Sequence, residues 1–570
     1  MKLLPLAPTL LAALALSACA TPARTGPAAP APAPTPAATA PTAEPTSPAG
    51  SLVIREAPRN WQLLDEAADR VPGISVQRAM RELLAGKQPK RTVVVAVIDG
   101  GVDTAHVDLA PNLWKNPRET AGNGKDDDGN GYADDVRGWD FIGGRDGRDV
   151  GPDTYEVTRL YTRCGASASG RTSAGSKGGP RDSLPAAERQ RCPEIAAEFE
   201  KQRVEAERTL QQVRMIDDAL SRIVPVLQKA AGNDSLTVAR VTAIKPASAE
   251  VQQARGIYLQ LAANGITPAD VADAKKSYES RVEYGLNPSF DPRSIVGDRY
   301  GDPSDRHYGN ADVTGPDAEH GTHVAGIIGA ARDDAAGIQG IAPAVKLMSV
   351  RTVPDGDERD KDVANAIRYA VDNGAQVLNM SFGKSYSPYK GAVDEAVKYA
   401  DAHGVLMVHA AGNDGDDLSK KPNFPTATFL GGGRARNWIE VGASSWRGAD
   451  SLAAPFSNYG KNEVDVFAPG VDILSTVPGG GFKRESGTSM AAPVVSGLAA
   501  LIMSYYPNLT AADVKRIILA SAVRHAEQMV VRPGAAESDK VPFGSLSATG
   551  AVVNAYAALK MAEAESAVRP

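Results

Sequence analysis

Four short segments, far apart in the chain, carry residue types that together could perform acyl transfer. Val97-Ile98-Asp99-Gly100-Gly101-Val102-Asp103 puts a carboxylate at the end of an apolar run, where a glycine-rich turn leaves room for a partner. His320-Gly321-Thr322-His323-Val324-Ala325-Gly326 opens a small-residue helix with an imidazole. Ala410-Ala411-Gly412-Asn413 ends a strand candidate with a side-chain amide, and Gly487-Thr488-Ser489-Met490-Ala491-Ala492-Pro493 sets a hydroxyl at the start of an apolar helix. A serine is a poor nucleophile until a base takes its proton, and imidazole exchanges protons near neutral pH. A carboxylate fixes the ring tautomer and stabilises the imidazolium. An amide and a backbone N–H can receive the negative charge that moves to the carbonyl oxygen. Taken singly, each segment also has a structural reading, with Asp as a turn residue, His as a cap or surface group and Ser as an N-cap.

These groups need a scaffold, and the chain supplies one. Thr92 to Ile98 is a continuous β-branched apolar run, which suits a strand buried on both faces of a parallel sheet. Further strand candidates are Val345–Val350, Val377–Met380, Val405–His409 and Ile439–Gly442, with helical segments Asp362–Asn373 and Ala392–His403 between them. The alternation predicts a doubly wound, mainly parallel α/β domain with functional groups at the carboxyl ends of strands. Between Pro185 and Leu286 the pattern changes. Ile195, Phe199, Ala206, Leu210, Val213, Ile216, Leu220, Ile223 and Leu227 are mostly three or four apart, as on a long amphipathic helix. Thr267-Pro268-Ala269-Asp270 has the chemistry of a helix start. This stretch is expected to be a helical hairpin or small bundle inserted into the α/β domain. Cys164 and Cys192 flank its entry and are expected to be bonded in an oxidising envelope, with two free buried thiols as the alternative.

In the chain order Asp, His, Asn, Ser, the four segments resemble the subtilisin-like serine peptidases. Ser381-Phe382-Gly383, Phe456-Ser457-Asn458-Tyr459-Gly460, Ala468-Pro469-Gly470-Val471 and Gly550 to Leu559 extend the likeness, which covers Thr92 to about Asp140 and about Asn287 to Leu559. It implies an Asp99, His320, Ser489 triad and an oxyanion site at Asn413. It implies that Ser381 to Gly383 is an edge strand pairing with an extended peptide. Gly383 and Gly412 would border a pocket that takes a sizeable side chain, giving broad specificity. His323 would pack behind the catalytic turn instead of binding metal. The chemistry so implied requires no cofactor. Two departures stand out. The Asp99 to His320 interval is lengthened by the insertion, and Ser51 to Arg91 is too short for the family's usual inhibitory prodomain. That segment, with Trp61, Leu63 and Leu64 as apolar anchors, is expected to pack permanently on the domain.

Asp126 to Asp135 concentrates carboxylates around two glycines. Asp126, Asp128, Asn130 and Tyr132 alternate like the first half of a calcium loop, with Asp134 or Asp135 closing the shell in place of the missing glutamate. A solvated acidic turn is the alternative.

The remaining sequence bounds location and partners. Lys2, the apolar stretch Leu3 to Leu16, and Leu16-Ser17-Ala18-Cys19 resemble a bacterial lipoprotein signal, with residues 1–18 removed and Cys19 lipidated. Ala20 after it points to the outer membrane, and a secreted or periplasmic protein is the alternative. Residues 19–50 are Pro- and Ala-rich, a tether of up to roughly 90 Å at about 3.1 Å per residue. The expected divisions are then 51–91 as a packing segment, 92–160 and 287–562 as the catalytic domain, and 161–286 as the helical insertion. The chain has 570 residues, 42% hydrophobic and 23% charged, with a net charge of -6, which excludes a basic nucleic-acid surface and a disordered chain. A polypeptide substrate, a membrane contact through the lipid and a protein partner of the insertion are the expected interactions. The rivals are a binding protein that keeps the fold without catalysis and a serine esterase.

Overall fold

The computed structural model describes residues 56–169, 189–233, 235–331 and 337–569. The expected signal, Cys19 and the tether lie outside the described residues. Two compact units form, one from Arg59–Gln211 with Asp273–Pro570 and one from Gln212–Ala272.

The first unit is built on a sheet. In chain order its strands are β1 (Val93–Asp99), β2 (Gly138–Asp140), β3 (Val345–Arg351), β4 (Val377–Met380), β5 (Leu406–Ala410), β6 (Trp438–Ser444) and β7 (Val466–Pro469). They are followed by β8 (Ile473–Val477), β9 (Gly481–Glu485), β10 (Val523–Arg524), β11 (Met529–Val531), β12 (Lys540–Pro542) and β13 (Ala551–Val552). Nine of them form one sheet in the order β10-β13-β7-β6-β5-β4-β1-β3-β2. Every neighbouring pair is parallel except the outermost, β10 with β13. This is the doubly wound α/β architecture that the apolar runs predict.

The chain leaves β1, pairs β3 on one side and later returns to place β4 on the other, so strand order reverses at β1. In such sheets the crevice at the carboxyl ends beside the reversal is the place for a site, and Asp99 is the last residue of β1. The Thr488–Tyr505 helix runs beneath the sheet. By length and composition it could cross a membrane, yet 94% of it is buried inside the fold. Its small residues allow that packing: a methyl group on Gly497 would lie 2.8 Å from Ile341 Cβ and 3.4 Å from Ile328 O.

The N-terminal segment packs on this unit. Trp61 and Leu63 are fully buried, Trp61 Nε1 donates to Val471 O at 2.9 Å, and the Arg78 guanidinium lies 4.1 Å over the Tyr556 ring.

The insertion lies between β2 and β3, and its two ends belong to the first unit. There Val157, Leu160, Cys164, Ile195, Phe199, Ala206 and Leu286 form a core. Tyr161 stacks on Phe199 with centroids 4.1 Å apart. Cys164 and Cys192 are disulfide-bonded across a Cα separation of 5.6 Å. The apolar spacing from Ile195 to Leu227 becomes a single 39-residue helix, Cys192–Ala230, which runs through Pro225. In the second unit Leu227, Val241, Ile244, Ala254 and Tyr258 make a small core. The helix expected at Thr267 begins there, with Asp270 N donating to Thr267 Oγ1 and Thr267 N to Asp270 Oδ2.

Candidate active site

Asp99 and His320, 221 positions apart, meet at the carboxyl edge: His320 Nδ1 donates to Asp99 Oδ1 at 2.8 Å. Gly100 N donates to the same oxygen, while the buried Asp99 Oδ2 has no partner among the described residues. His320 is the second residue of the Glu319–Gly329 helix. Close approach requires glycine next to it, since a methyl group on Gly321 would lie 2.1 Å from Gly101 O. Desolvation pulls the ring's pKa down, and the charge and hydrogen bond of Asp99 outweigh it. With Glu485 adding to the pull, the pKa ends above the ordinary histidine value.

Ser489 is the second residue of the buried helix. Its Oγ donates to Ser381 O at 3.1 Å, so in this state the hydroxyl is turned to the segment after β4 and not hydrogen-bonded to His320. Asn413 is held through its oxygen: Oδ1 accepts from Thr488 N at 2.8 Å and from Thr488 Oγ1 at 3.0 Å. Asn413 Nδ2 and Ser489 N are each 3.5 Å from one point, where a Cβ of Gly487 would be. Both nitrogens thus lie near Gly487, with Met490 Sδ 3.6 Å from the same point. Thr488, which orients the amide, was not singled out from sequence, although it stands inside the serine motif.

Ser381 follows β4 directly. Its Oγ donates to Ser489 O at 2.9 Å and accepts from Asn379 Nδ2 at 2.9 Å, which ties the edge segment to the serine helix. Gly412, at φ +101°, donates its N–H to Thr488 Oγ1 at 3.0 Å. Gly383 and Gly412, expected to border a pocket, both make close approaches: a Cβ on Gly383 would lie 2.4 Å from the Asn423 carboxamide, and one on Gly412 2.4 Å from Asn458 Nδ2 and 3.3 Å from Asn423 Nδ2.

His323 is fully buried, and its Nε2 donates to Ile473 O and Lys483 O, both at 3.1 Å. Burial lowers its pKa to about 3. It is a neutral ring packed under the β8–β9 hairpin.

The acidic loop is arranged differently from the expected alternation. Asp126 accepts from the backbone N–H groups of Gly129, Asn130 and Gly131, and Asp134 from those of Asn123 and Gly124. Tyr132 turns its ring into the core, and its hydroxyl donates to Arg306 O at 3.1 Å. Asn130 caps the loop and donates to Asp135. The carboxylates that converge are Glu119, Asp128 and Asp135, with ligand atoms within 4.8 Å of one another. Burial raises Asp135 to about 6. Glu119 was missed because it stands seven residues before the acidic run.

Behind the Ser381–Gly383 edge, the insertion is clamped by buried ions. Lys384 Nζ donates to Glu156 Oε2 at 2.9 Å and Glu358 O at 2.7 Å, and pairs with Asp360 at 2.8 Å. Arg159 pairs with Glu156, and Arg359 with Asp153. Burial alone would lift the Glu156 carboxyl, but Arg159 and Lys384 hold it well below the usual range. On the other side of His320, Lys483 bridges Glu319 at 2.6 Å and Asp273 at 3.2 Å.

A model of the Subtilase family matches residues 90–550. The Thermophilic serine proteinase of Bacillus sp. (strain AK1) is 41% identical over 231 residues, 40% of this chain and 52% of that protein. Subtilisin NAT of Bacillus subtilis subsp. natto is 39% identical over 201 residues, 35% of this chain and 49% of that protein. The chain therefore spans about half the length of these relatives. Among solved structures, the Prenylagaramide maturation protease PagA is 30% identical with a TM-score of 0.35, covering 43% of this chain and 82% of that one. The family match begins just before β1, ends just before β13 and encloses all four candidate segments, so the chain belongs to the subtilase family.

Proposed function

We propose that the protein is a serine endopeptidase that cleaves polypeptides through an acyl-enzyme on Ser489. The observation that carries this reading is the 2.8 Å bond from His320 Nδ1 to Asp99 Oδ1, with the oxygen of Asn413 held by Thr488, the residue before Ser489. The names of the relatives, a serine proteinase and a subtilisin, support a peptide substrate.

In the proposed reaction Ser489 Oγ rotates from Ser381 O toward His320. Nε2 takes its proton as the Oγ–C bond forms, and the oxyanion is received by the N–H groups of Asn413 Nδ2 and Ser489 N. The imidazolium, stabilised by an ionised Asp99, gives the proton to the leaving amine as the C–N bond breaks. Water then repeats both transfers and releases the acid. An extended substrate pairs with the Ser381–Gly383 edge through its main chain.

Treating the soluble chain with a fluorophosphonate and measuring intact mass tests the site. One adduct is expected on the wild type, none on Ser489→Ala, and much slower labelling on His320→Ala. No adduct on folded wild type sinks the reading and favours the binding protein. Hydrolysis of short-chain esters with no peptide turnover makes the chain an esterase.

The reading includes a lipid anchor on Cys19 that holds the enzyme in the cell envelope at the outer membrane. Cys19→Ser should abolish incorporation of labelled fatty acid and release the protein from membranes. It also gives Glu119, Asp128 and Asp135 a structural calcium. The donors are hard oxygens, and the three carboxylates lie within 4.8 Å of one another with Arg118 paired to Asp128 at 3.0 Å. Calcium should raise Tm by several degrees over chelator in wild type and not in Glu119→Gln.

A further inference from the structure

We infer that Glu358 is a positioning residue for the peptide: as an uncharged carboxyl it completes the joint of buried ions behind the Ser381–Gly383 edge, and on losing its proton it loosens that edge and weakens substrate binding. The inference rests on the peptidase reading above and adds to it a proton-dependent hold on the substrate.

Lys384 follows Gly383 directly, so whatever holds Lys384 holds the end of the edge. Its backbone exchanges two hydrogen bonds with Phe424, at 3.1 Å and 2.8 Å. Its buried ammonium is shared among Glu156 Oε2 at 2.9 Å, Asp360 Oδ1 at 2.8 Å and Glu358 O at 2.7 Å. Glu358 is thus bonded, through its carbonyl, to the residue that ends the edge. The side chain of Glu358 is matched less well. It is 2% exposed, its Oε1 has no hydrogen-bond partner, and among the described residues no cation pairs with it. The cations of the joint are engaged elsewhere: Lys384 with Glu156 and Asp360, Arg159 with Glu156 and Asp153, and Arg359 with Asp153 and Asp291.

The charges that act on the Glu358 carboxyl are Lys384, Asp357 and Asp360. Around them stand Glu156 and Arg159 of the Glu156–Ser169 helix, whose backbone and guanidinium bond Asp357 Oδ2 and Asp357 O, and the Tyr300 phenol. A carboxylate without a cation of its own is disfavoured in such a place by desolvation. Burial pushes Glu358 up to about 8, with Lys384 offsetting part of the rise and Asp357 and Asp360 adding to it. The group is therefore neutral while the site is at neutral pH. Once ionised, it sets a further negative charge beside Asp357 and Asp360. The segment is relieved by moving toward water, and its carbonyl leaves Lys384 Nζ as it goes. A peptide that pairs along Ser381–Gly383 through its main chain then meets an edge that must be ordered on binding.

The test uses Ser489→Ala chains with and without Glu358→Gln, and reads the Kd of a fluorescein-labelled extended peptide by anisotropy across pH. Without the second substitution Kd should rise by about tenfold between about pH 7 and about pH 9.5, and with it Kd should stay within about twofold. Urea unfolding of wild type and Glu358→Gln gives a readout that needs no peptide. The folded carboxyl keeps its proton to higher pH than the unfolded one, so its contribution is present below the ordinary glutamate value and is lost as pH climbs to about 8. The wild-type midpoint should fall against that of the variant over this window and run parallel above it. Glu358→Met, also uncharged, serves if the glutamine variant does not fold. A Kd that rises equally in both chains or in neither overturns the inference, as does a rise removed by Asp357→Asn and not by Glu358→Gln. Absence of peptide binding at every pH, with fluorophosphonate labelling of the wild type intact, overturns the peptidase reading; a wild-type midpoint that still falls against the variant's keeps the titrating carboxyl, and one that does not overturns both.

Discussion

The Asp99–His320 pair and the Lys384 cluster use the same kinds of ion for different ends. At the first, a single 2.8 Å bond joins the two groups, His320 has 43% of its side chain exposed, and one oxygen of Asp99 is left without a partner among the described residues. At the second, Lys384 and Glu156 are 2% and 3% exposed, and each charge has at least two partners. A proton can move at the first because its charges are incompletely matched. At the second Lys384 and Glu156 are each held by charges on more than one side, while Glu358 Oε1 and Arg159 Nε beside them have no partner among the described residues.

The largest expected effect comes from breaking the joint. Lys384→Met leaves Asp360 and part of Glu156 buried without a counter-charge, and removal of one partner of a buried pair costs about 3–5 kcal/mol. Urea unfolding should record that loss, while fluorophosphonate labelling well below the melting temperature stays within about threefold of wild type. Unchanged stability with lost labelling would break the comparison, because Lys384 would then belong to the chemistry.

Asn413→Leu acts beside Ser489, where Asn413 is held by Thr488. It removes one of two oxyanion donors, so kcat should fall by about 10² to 10³ with KM little changed. Its lost bond from Thr488 N should cost about 1 kcal/mol of stability. A fall in KM-controlled binding with kcat preserved would move Asn413 from the oxyanion site to substrate binding.

The contrast also separates what sequence discloses from what it hides. β1 is observed at Val93–Asp99 where the apolar run predicts Thr92 to Ile98, because burial on both faces leaves a periodicity that survives without any neighbour. The Thr267 capping box is legible for the same reason, since its partners are three residues apart. Lys384 gives no such signal. Its partner Glu156 is 228 positions away, and a lysine after a glycine reads as surface. Asn423 is hidden likewise: only the fold brings its carboxamide beside Gly383. In the acidic loop composition is legible but direction is not. Backbone N–H groups claim Asp126, Asp134 and Glu119 alike, and only the fold shows that Glu119 is the one that meets Asp128 and Asp135.

The smallest effect examines the mismatch itself. Desolvation lowers the His320 pKa, Asp99 raises it by more, and Glu485, four residues before the nucleophile, adds to the rise. Among the described residues, the Glu485 carboxylate takes part in no hydrogen bond or ion pair. The ring must be neutral to accept the Ser489 proton, so kcat/KM should rise with pH through this raised value and be lost in acid. Stability runs the other way. A folded-state pKa above the unfolded one stabilises fully below the unfolded value, and that contribution is lost as pH climbs through the folded one. Glu485→Gln should therefore shift the acid limb of kcat/KM to lower pH, leave the plateau kcat in place and shave the stability gained in acid. A limb that does not move would mean that solvent screens Glu485, and the incomplete compensation that lets this site titrate would narrow to the Asp99–His320 bond alone.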